Sequence, residues 1–197
     1  MAEKKYDPFD YVKDRIPKYI KVENVVLFFD VVGFTKNSTN LEMEKIIHKI
    51  DTVIDHLLYD DYNWNEHHQH NHLILMPTGD GLGIGFHPNM ANDKILRITT
   101  DLYNNLTKNN GINIRMGIAK GPNTRYLDVN EINNLFGWGV NTAYRVMCGA
   151  QPNQILIHED YSKLLSNIKD IKGIDRAPIT IETKHGETLI AFQLISA

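Results

Sequence analysis

Two apolar runs, each interrupted by a single acid, dominate the pattern of this chain. Val25 to Thr35 reads VVLFFDVVGFT, and Ile74 to Phe86 reads ILMPTGDGLGIGF. Continuous apolar stretches of this length predict buried strands. The second run splits at Thr78-Gly79-Asp80-Gly81, where glycines suit a tight turn, so Leu73 to Met76 and Leu82 to Phe86 are expected to form a hairpin with Asp80 at its tip. After the turn at Gly33, apolar positions Leu41, Met43, Ile46, Ile47, Ile50, Val53, Ile54, Leu57 and Leu58 recur at helical spacing. Thr39 and Glu42 match a capping box at the start of that helix. A second helix is expected over Ala91 to Leu106, on the spacing of Ile95, Leu96, Ile98, Leu102, Tyr103 and Leu106, ended by Asn109-Asn110-Gly111.

A strand over Ile112 to Ile118 follows, then a turn at Ala119-Lys120-Gly121-Pro122 and a less regular stretch through Tyr126 and Leu135. From Gly137 the sequence GWGVNTAYRVMCGA is again helical, and Asn141 and Arg145 project from one face of it, being four residues apart. A strand from Gln154 to His158, a short helix around Tyr161 to Leu165 and a closing antiparallel pair from about Ile171 to Ile195 complete the order. That order predicts an α+β fold with helices over one face of a mostly antiparallel sheet, built on a ferredoxin-like βαββαβ unit. In such a unit the first and third strands lie side by side, which would bring Asp30 and Asp80 to face each other. The length of 197 residues fits one domain, with 1–21 as an extension packed on a core of 22–197.

Ionised carboxylates inside apolar runs are costly without positive charge nearby, and neither run contains Lys or Arg. A divalent cation such as Mg²⁺ held between the two strands would supply it and leave positions open for phosphate. The segment from Val31 to Thr35, at a strand-turn-helix junction, is suited to aim backbone N–H groups at that phosphate. Each feature also has a plain explanation: Asp-Gly is a common hairpin turn, and an Asn and Arg on a helix fit a solvated face. His67, His68, His70 and His72 lack a cysteine or second ligand group nearby and fit a solvated loop. The aromatics Tyr6, Phe9, Tyr11 and Tyr19 fit simple packing of the extension.

A formal net charge of -3 with interspersed signs gives no basic stripe for polymeric nucleic acid. Cys148 is the single cysteine, which rules out an intrachain disulfide, and the start MAEKKYDPFD has no apolar secretion core. An intracellular, cytoplasmic protein without membrane association is the expectation.

Four segments, FFDVVGFT, PTGDGLGIGF, RMGIAKGP and GWGVNTAYRVM, together resemble the class III nucleotidyl cyclase catalytic domain, in order, from about Val22 to Leu194. The resemblance implies closure of a nucleoside triphosphate into a 3′,5′-cyclic monophosphate with loss of pyrophosphate. It implies two divalent cations, Mn²⁺ or Mg²⁺, on Asp30, Asp80 and the backbone carbonyl of Val31, with Gly33, Phe34, Thr35 and Lys184 toward the phosphates. Asn141 would orient the ribose and Arg145 would meet the transition state. Because the metal acids and the Asn/Arg helix of this family meet across a head-to-tail pair, a homodimer with composite sites is implied.

The base pocket departs from the purine pattern. Met76 and Asn134 stand where adenylyl cyclases carry Lys and Asp, and the guanine-reading Glu and Cys pair is absent. In this the chain resembles the pyrimidine cyclases of Pycsar antiphage systems, bacterial dimers whose cyclic UMP or cyclic CMP activates a separate cell-killing effector. UTP is favoured over CTP, although Asn134 can turn its amide to either base edge. Tyr11 or Tyr19 is the candidate to close over the small base. A purine cyclase with an atypical pocket and a catalytically dead nucleotide-binding module are the alternatives; diguanylate cyclases carry an acid where Gly81 stands.

Overall fold

The computed structural model describes residues 19–34, 39–57, 73–130, 132–166, 173–175, 177–184 and 186–195. Strand β1 runs Ile20–Val31 and leads through the turn at Gly33 to helix α1, Asn40–Asp55. Both halves of the Thr39/Glu42 capping box form: the Glu42 N–H donates to the Thr39 hydroxyl, and the Thr39 N–H donates to the Glu42 carboxylate at 2.7 Å. The hairpin strands are β2, Leu73–Pro77, and β3, Gly81–Phe86. Helix α2, Asn92–Asn104, continues into a wider turn over Asn105–Asn109 and stops at Gly111. Then come β4, Ile114–Leu127, β5, Asn133–Gly137, helix α3, Trp138–Gly149, β6, Gln154–His158, helix α4, Glu159–Ser166, and the closing pair β7, Ile179–Glu182, and β8, Thr188–Leu194.

Along the sheet the order is β2-β3-β1-β4-β6-β8-β7, with β5 paired to β4. The first four strands thus lie as β4-β1-β3-β2, the ferredoxin-like arrangement, and all named pairs are antiparallel except β4 with β6. The two faces of β1 carry different cores because side chains alternate along a strand. Val25, Leu27, Phe29 and Val31 pack with Ile50 and Ile54 of α1, Ile98 and Leu102 of α2, and Tyr161 and Leu165 of α4. Val26 and Phe28 face the other way, against Met76, Leu135, Ala143 and Met147. A side chain of this size contributes about 1.5–3 kcal/mol when fully buried.

Two expectations are corrected. The helices are not confined to one face: among the described residues α3 covers the second, where Gly117 lets it approach so closely that a Cβ there would stand 2.1 Å from the Met147 backbone nitrogen. Second, the glycine and proline at 119–122 do not turn the chain. β4 runs straight through them, pairing with β1 from Ile114 to Arg125, with Pro122 opposite Glu23. Pro122 is tolerated because β6 has already ended beside β4 and β5 has not yet begun, so no ladder partner is lost on that side. Gly121 lies beneath the indole of Trp138. The stretch read as irregular contains β5, which folds back on the far end of β4.

Candidate active site

Asp30 stands one residue before the end of β1 and directly opposite Gly81 of β3. A Cβ at position 81 would lie 2.0 Å from the Phe29 carbonyl oxygen, so glycine is what lets β3 press this close to β1. The residue before it, Asp80, is thereby held against Asp30: the Val31 N–H donates to the Asp80 carbonyl at 3.1 Å. The Asp80 carboxyl is pushed up from its ordinary value, first by burial and then by the charge of Asp30 beside it. The expected convergence of the two acids is what the register produces.

One part of the electrostatic expectation is corrected. Positive charge does reach the pair from the protein, on a strand outside both apolar runs. Arg115 of β4 pairs with Asp30 in register, and its Nη2 and Nε donate to one Asp30 oxygen at 2.7 and 3.1 Å. Its Nη1 donates to the Cys148 carbonyl at the end of α3 at 3.3 Å. Sequence reasoning missed Arg115 as a site residue. The signal that could have found it is the alternation of Ile114, Met116 and Ile118, buried around an arginine that must then face the opposite side of β4.

The donor set suits a divalent cation: two carboxylates forced together, both offering oxygen, with the Val31 carbonyl adjacent in sequence. Among the described residues no third His, Cys, Asp or Glu joins them. A cation there would offset the burial and the Asp30 charge that together raise Asp80.

Helix α3 presents Asn141, Tyr144, Arg145 and Cys148 on its less buried stripe, while Thr142, Ala143, Val146 and Met147 are buried. Asn141 is exposed. The Arg145 Nη1 donates to the carboxylate of Glu187, in the turn between β7 and β8 that also carries the exposed Lys184. Gly33 lies in the turn after β1, whereas the Phe34 ring packs against the larger core and leaves only its backbone for a phosphate. Thr35, Tyr11 and the histidines from His67 to His72 lie outside the described residues.

Of the proposed base-reading residues, Met76 lies two strands across from Phe28, two residues short of Asp30, whereas Asn134 and Tyr19 lie far along the sheet from the acids. Met76 is 8 % exposed, in the cluster with Phe28 and Leu135. Asn134 sits opposite Tyr126, eleven residues along β4 from Arg115, which is about 35 Å of strand. Its amide oxygen accepts the Leu135 N–H at 2.8 Å. Tyr19, at the far end of β1 from Asp30, stacks on Tyr126 with ring centroids 6.3 Å apart and meets Phe136 edge-on at 6.2 Å. Val129, Ile132, Phe136 and Tyr19 are exposed apolar residues at this end of the sheet.

No helix among the described residues is long and apolar enough to cross a membrane. A search of curated proteins gives no match. The fold is shared with solved structures: the adenylyl cyclase CyaB from P. aeruginosa, at 18 % identity over 91 % of this chain and 97 % of that one, has a TM-score of 0.66. The guanylate cyclase domain of RhGC from Catenaria anguillulae, solved in complex with GTP, has 21 % identity over 90 % and 98 % and a TM-score of 0.64. A dimeric guanylyl cyclase domain from Blastocladiella emersonii has 20 % identity over 90 % and 98 % and a TM-score of 0.65. The family model for the adenylate and guanylate cyclase catalytic domain matches residues 89–196, a stretch that includes Arg115, Asn141, Arg145 and Lys184 and leaves Asp30 and Asp80 outside it. By that match over more than half of its length, the chain belongs to the adenylate and guanylate cyclase catalytic domain family.

Proposed function

We propose that this nucleotidyl cyclase converts a pyrimidine nucleoside triphosphate, UTP in preference to CTP, to the 3′,5′-cyclic monophosphate and pyrophosphate. The observation that carries the base reading is the pair Met76 and Asn134. A thioether enclosed by Phe28 and Leu135 has no strong donor to offer a base. The Asn134 oxygen is engaged by Leu135, which leaves its NH₂ to donate. An NH₂ group suits the carbonyl of uracil and opposes the amino group of cytosine or adenine.

Two divalent cations bound by Asp30, Asp80 and the Val31 carbonyl would lower the pKa of the ribose 3′-hydroxyl and neutralise the triphosphate. The protein's own groups supply the rest. Arg145 offers a planar fork to the phosphoryl oxygens on which charge grows, which a lysine cannot match in geometry. Asn141 can both donate and accept, and so holds the ribose with its hydroxyl in line with the bond to be broken. Backbone N–H groups at Gly33 and Phe34, with Lys184, would bind the outer phosphates.

About 35 Å of strand separates Asp30 from Asn134 in one chain, farther than a nucleoside triphosphate reaches. This supports a homodimer in which the acids of one chain face Asn134, Asn141 and Arg145 of the other. The exposed apolar residues around Tyr19 and Phe136 suit such contact. By its resemblance to the Pycsar enzymes, the product would be a second messenger in antiphage defence, read by a separate effector.

Purified protein incubated separately with UTP, CTP, ATP and GTP plus Mn²⁺, followed by separation of the products, tests the proposal. Cyclic UMP should dominate. Dominant cyclic AMP or cyclic GMP overturns the base reading, and nucleotide binding in a calorimeter without turnover overturns the catalytic one.

A further inference from the structure

We infer that Glu187 is a positioning residue for Arg145, fixing the arginine fork through the β7–β8 turn. This rests on the reading of Arg145 as the group that meets the reacting phosphate. The carboxylate takes Nη1 of the guanidinium and leaves Nε and Nη2, the two nitrogens of one edge, for a bidentate contact. Glu187 is itself held: the Thr183 N–H donates to its carbonyl at 2.9 Å, its own N–H donates to the Thr183 hydroxyl at 3.2 Å, and Gly186 closes the turn at φ 76°. The turn does not move independently of the helix. Ile181 of β7 packs with Val146 and Ala150, and its side chain lies so near Gly149 that a Cβ there would be 2.7 Å away.

Relative magnitudes separate positioning from mere stabilisation. The carboxylate is 58 % exposed and the guanidinium 33 %, and an ion pair so wet adds little to stability beside the apolar seam under it. A long arginine side chain loses much rotamer freedom when it is fixed. What Glu187 contributes is that loss taken before the substrate arrives. The same turn carries Lys184, so one hairpin sets both the arginine and the lysine relative to the triphosphate.

Steady-state kinetics of wild type, Glu187→Gln, Glu187→Asp, Arg145→Ala and the Glu187→Gln/Arg145→Ala double variant test this, with unfolding midpoints measured alongside. Glu187→Gln should lower kcat by about twofold to fivefold, the most that so exposed a pair can supply, leave KM for the triphosphate nearly unchanged and keep the wild-type midpoint. Glu187→Asp should recover part of the loss, and Glu187→Gln should add nothing in the Arg145→Ala background. A Glu187→Gln rate at or above wild type, or an equal loss in both backgrounds, overturns the positioning role while leaving the proposed function intact. Wild-type turnover by Arg145→Ala would remove the role of Arg145, and this inference with it.

Discussion

Arg115 reaches across the β1–β4 pair and places two guanidinium nitrogens on a single oxygen of Asp30, at 2.7 and 3.1 Å. The pair is largely covered, with side chains 31 % and 15 % exposed. Among the described residues Arg115 is the cation bonded to the acid pair, so removing it would leave two carboxyl groups against each other without that charge. Arg115→Met should destabilise the metal-free protein by about 2 kcal/mol, read from urea unfolding, and the cost should shrink in an Asp30→Asn background. An unchanged midpoint would show that the contact carries no net energy.

That relationship also shows what the sequence made legible. The acids, the turn at Asp80 and the helix periodicities are local patterns, and each reappears in the structure. The alternation around Arg115 marks the face it takes, but its pairing with Asp30, 85 positions away in the chain, is set by register. The β4 strand was cut short for a related reason. Gly121 and Pro122 look like a turn in isolation, yet the first is small to admit Trp138 and the second sits at a gap between neighbouring strands. The polar β5, with Asn133 and Asn134, has no strand pattern of its own and is held by pairing to β4.

Gly117 is where α3 touches β4. A methyl group there would meet the Met147 nitrogen at 2.1 Å and the Ala143 carbonyl at 2.5 Å, both backbone atoms that cannot rotate away. Gly117→Ala should cost about 1–3 kcal/mol and displace the helix carrying Asn141 and Arg145, so turnover should fall by more than the folded fraction does. Full specific activity per folded molecule would show that α3 tolerates the shift.

Asn134 gives a test of base choice that does not depend on overall rate. Asn134→Asp replaces the free NH₂ with a second acceptor oxygen, while the other oxygen can still take the Leu135 N–H. The ratio of cyclic CMP to cyclic UMP formed from equal substrates should rise on the order of tenfold or more. An unchanged ratio would remove Asn134 from the base pocket.

His158, 4 % exposed at the end of β6 under the Trp138 ring, has its pKa lowered, chiefly by burial, against the opposing charges of Asp160 and Glu159. The unfolded chain therefore takes up a proton near pH 6.5 while the folded protein still excludes it. Stability from this residue is complete above that pH and is lost as pH falls through it toward the folded value. Urea midpoints of wild type should drop between pH 8 and pH 5.5 by more than those of His158→Gln. Equal drops would mean that His158 is protonated in the fold without penalty.

Composite sites are tested most directly by mixing two inactive chains. Asp30→Asn lacks a carboxylate of the acid pair and Arg145→Ala lacks the arginine, so each homodimer has two damaged sites. In a heterodimer one site carries both defects and the other carries none. An equimolar mixture, with exchange verified by tagged chains, should recover about a quarter of wild-type turnover, since half the dimers are mixed and each has one sound site. No recovery despite demonstrated heterodimers would contradict a site shared between the acids of one chain and Arg145 of its partner.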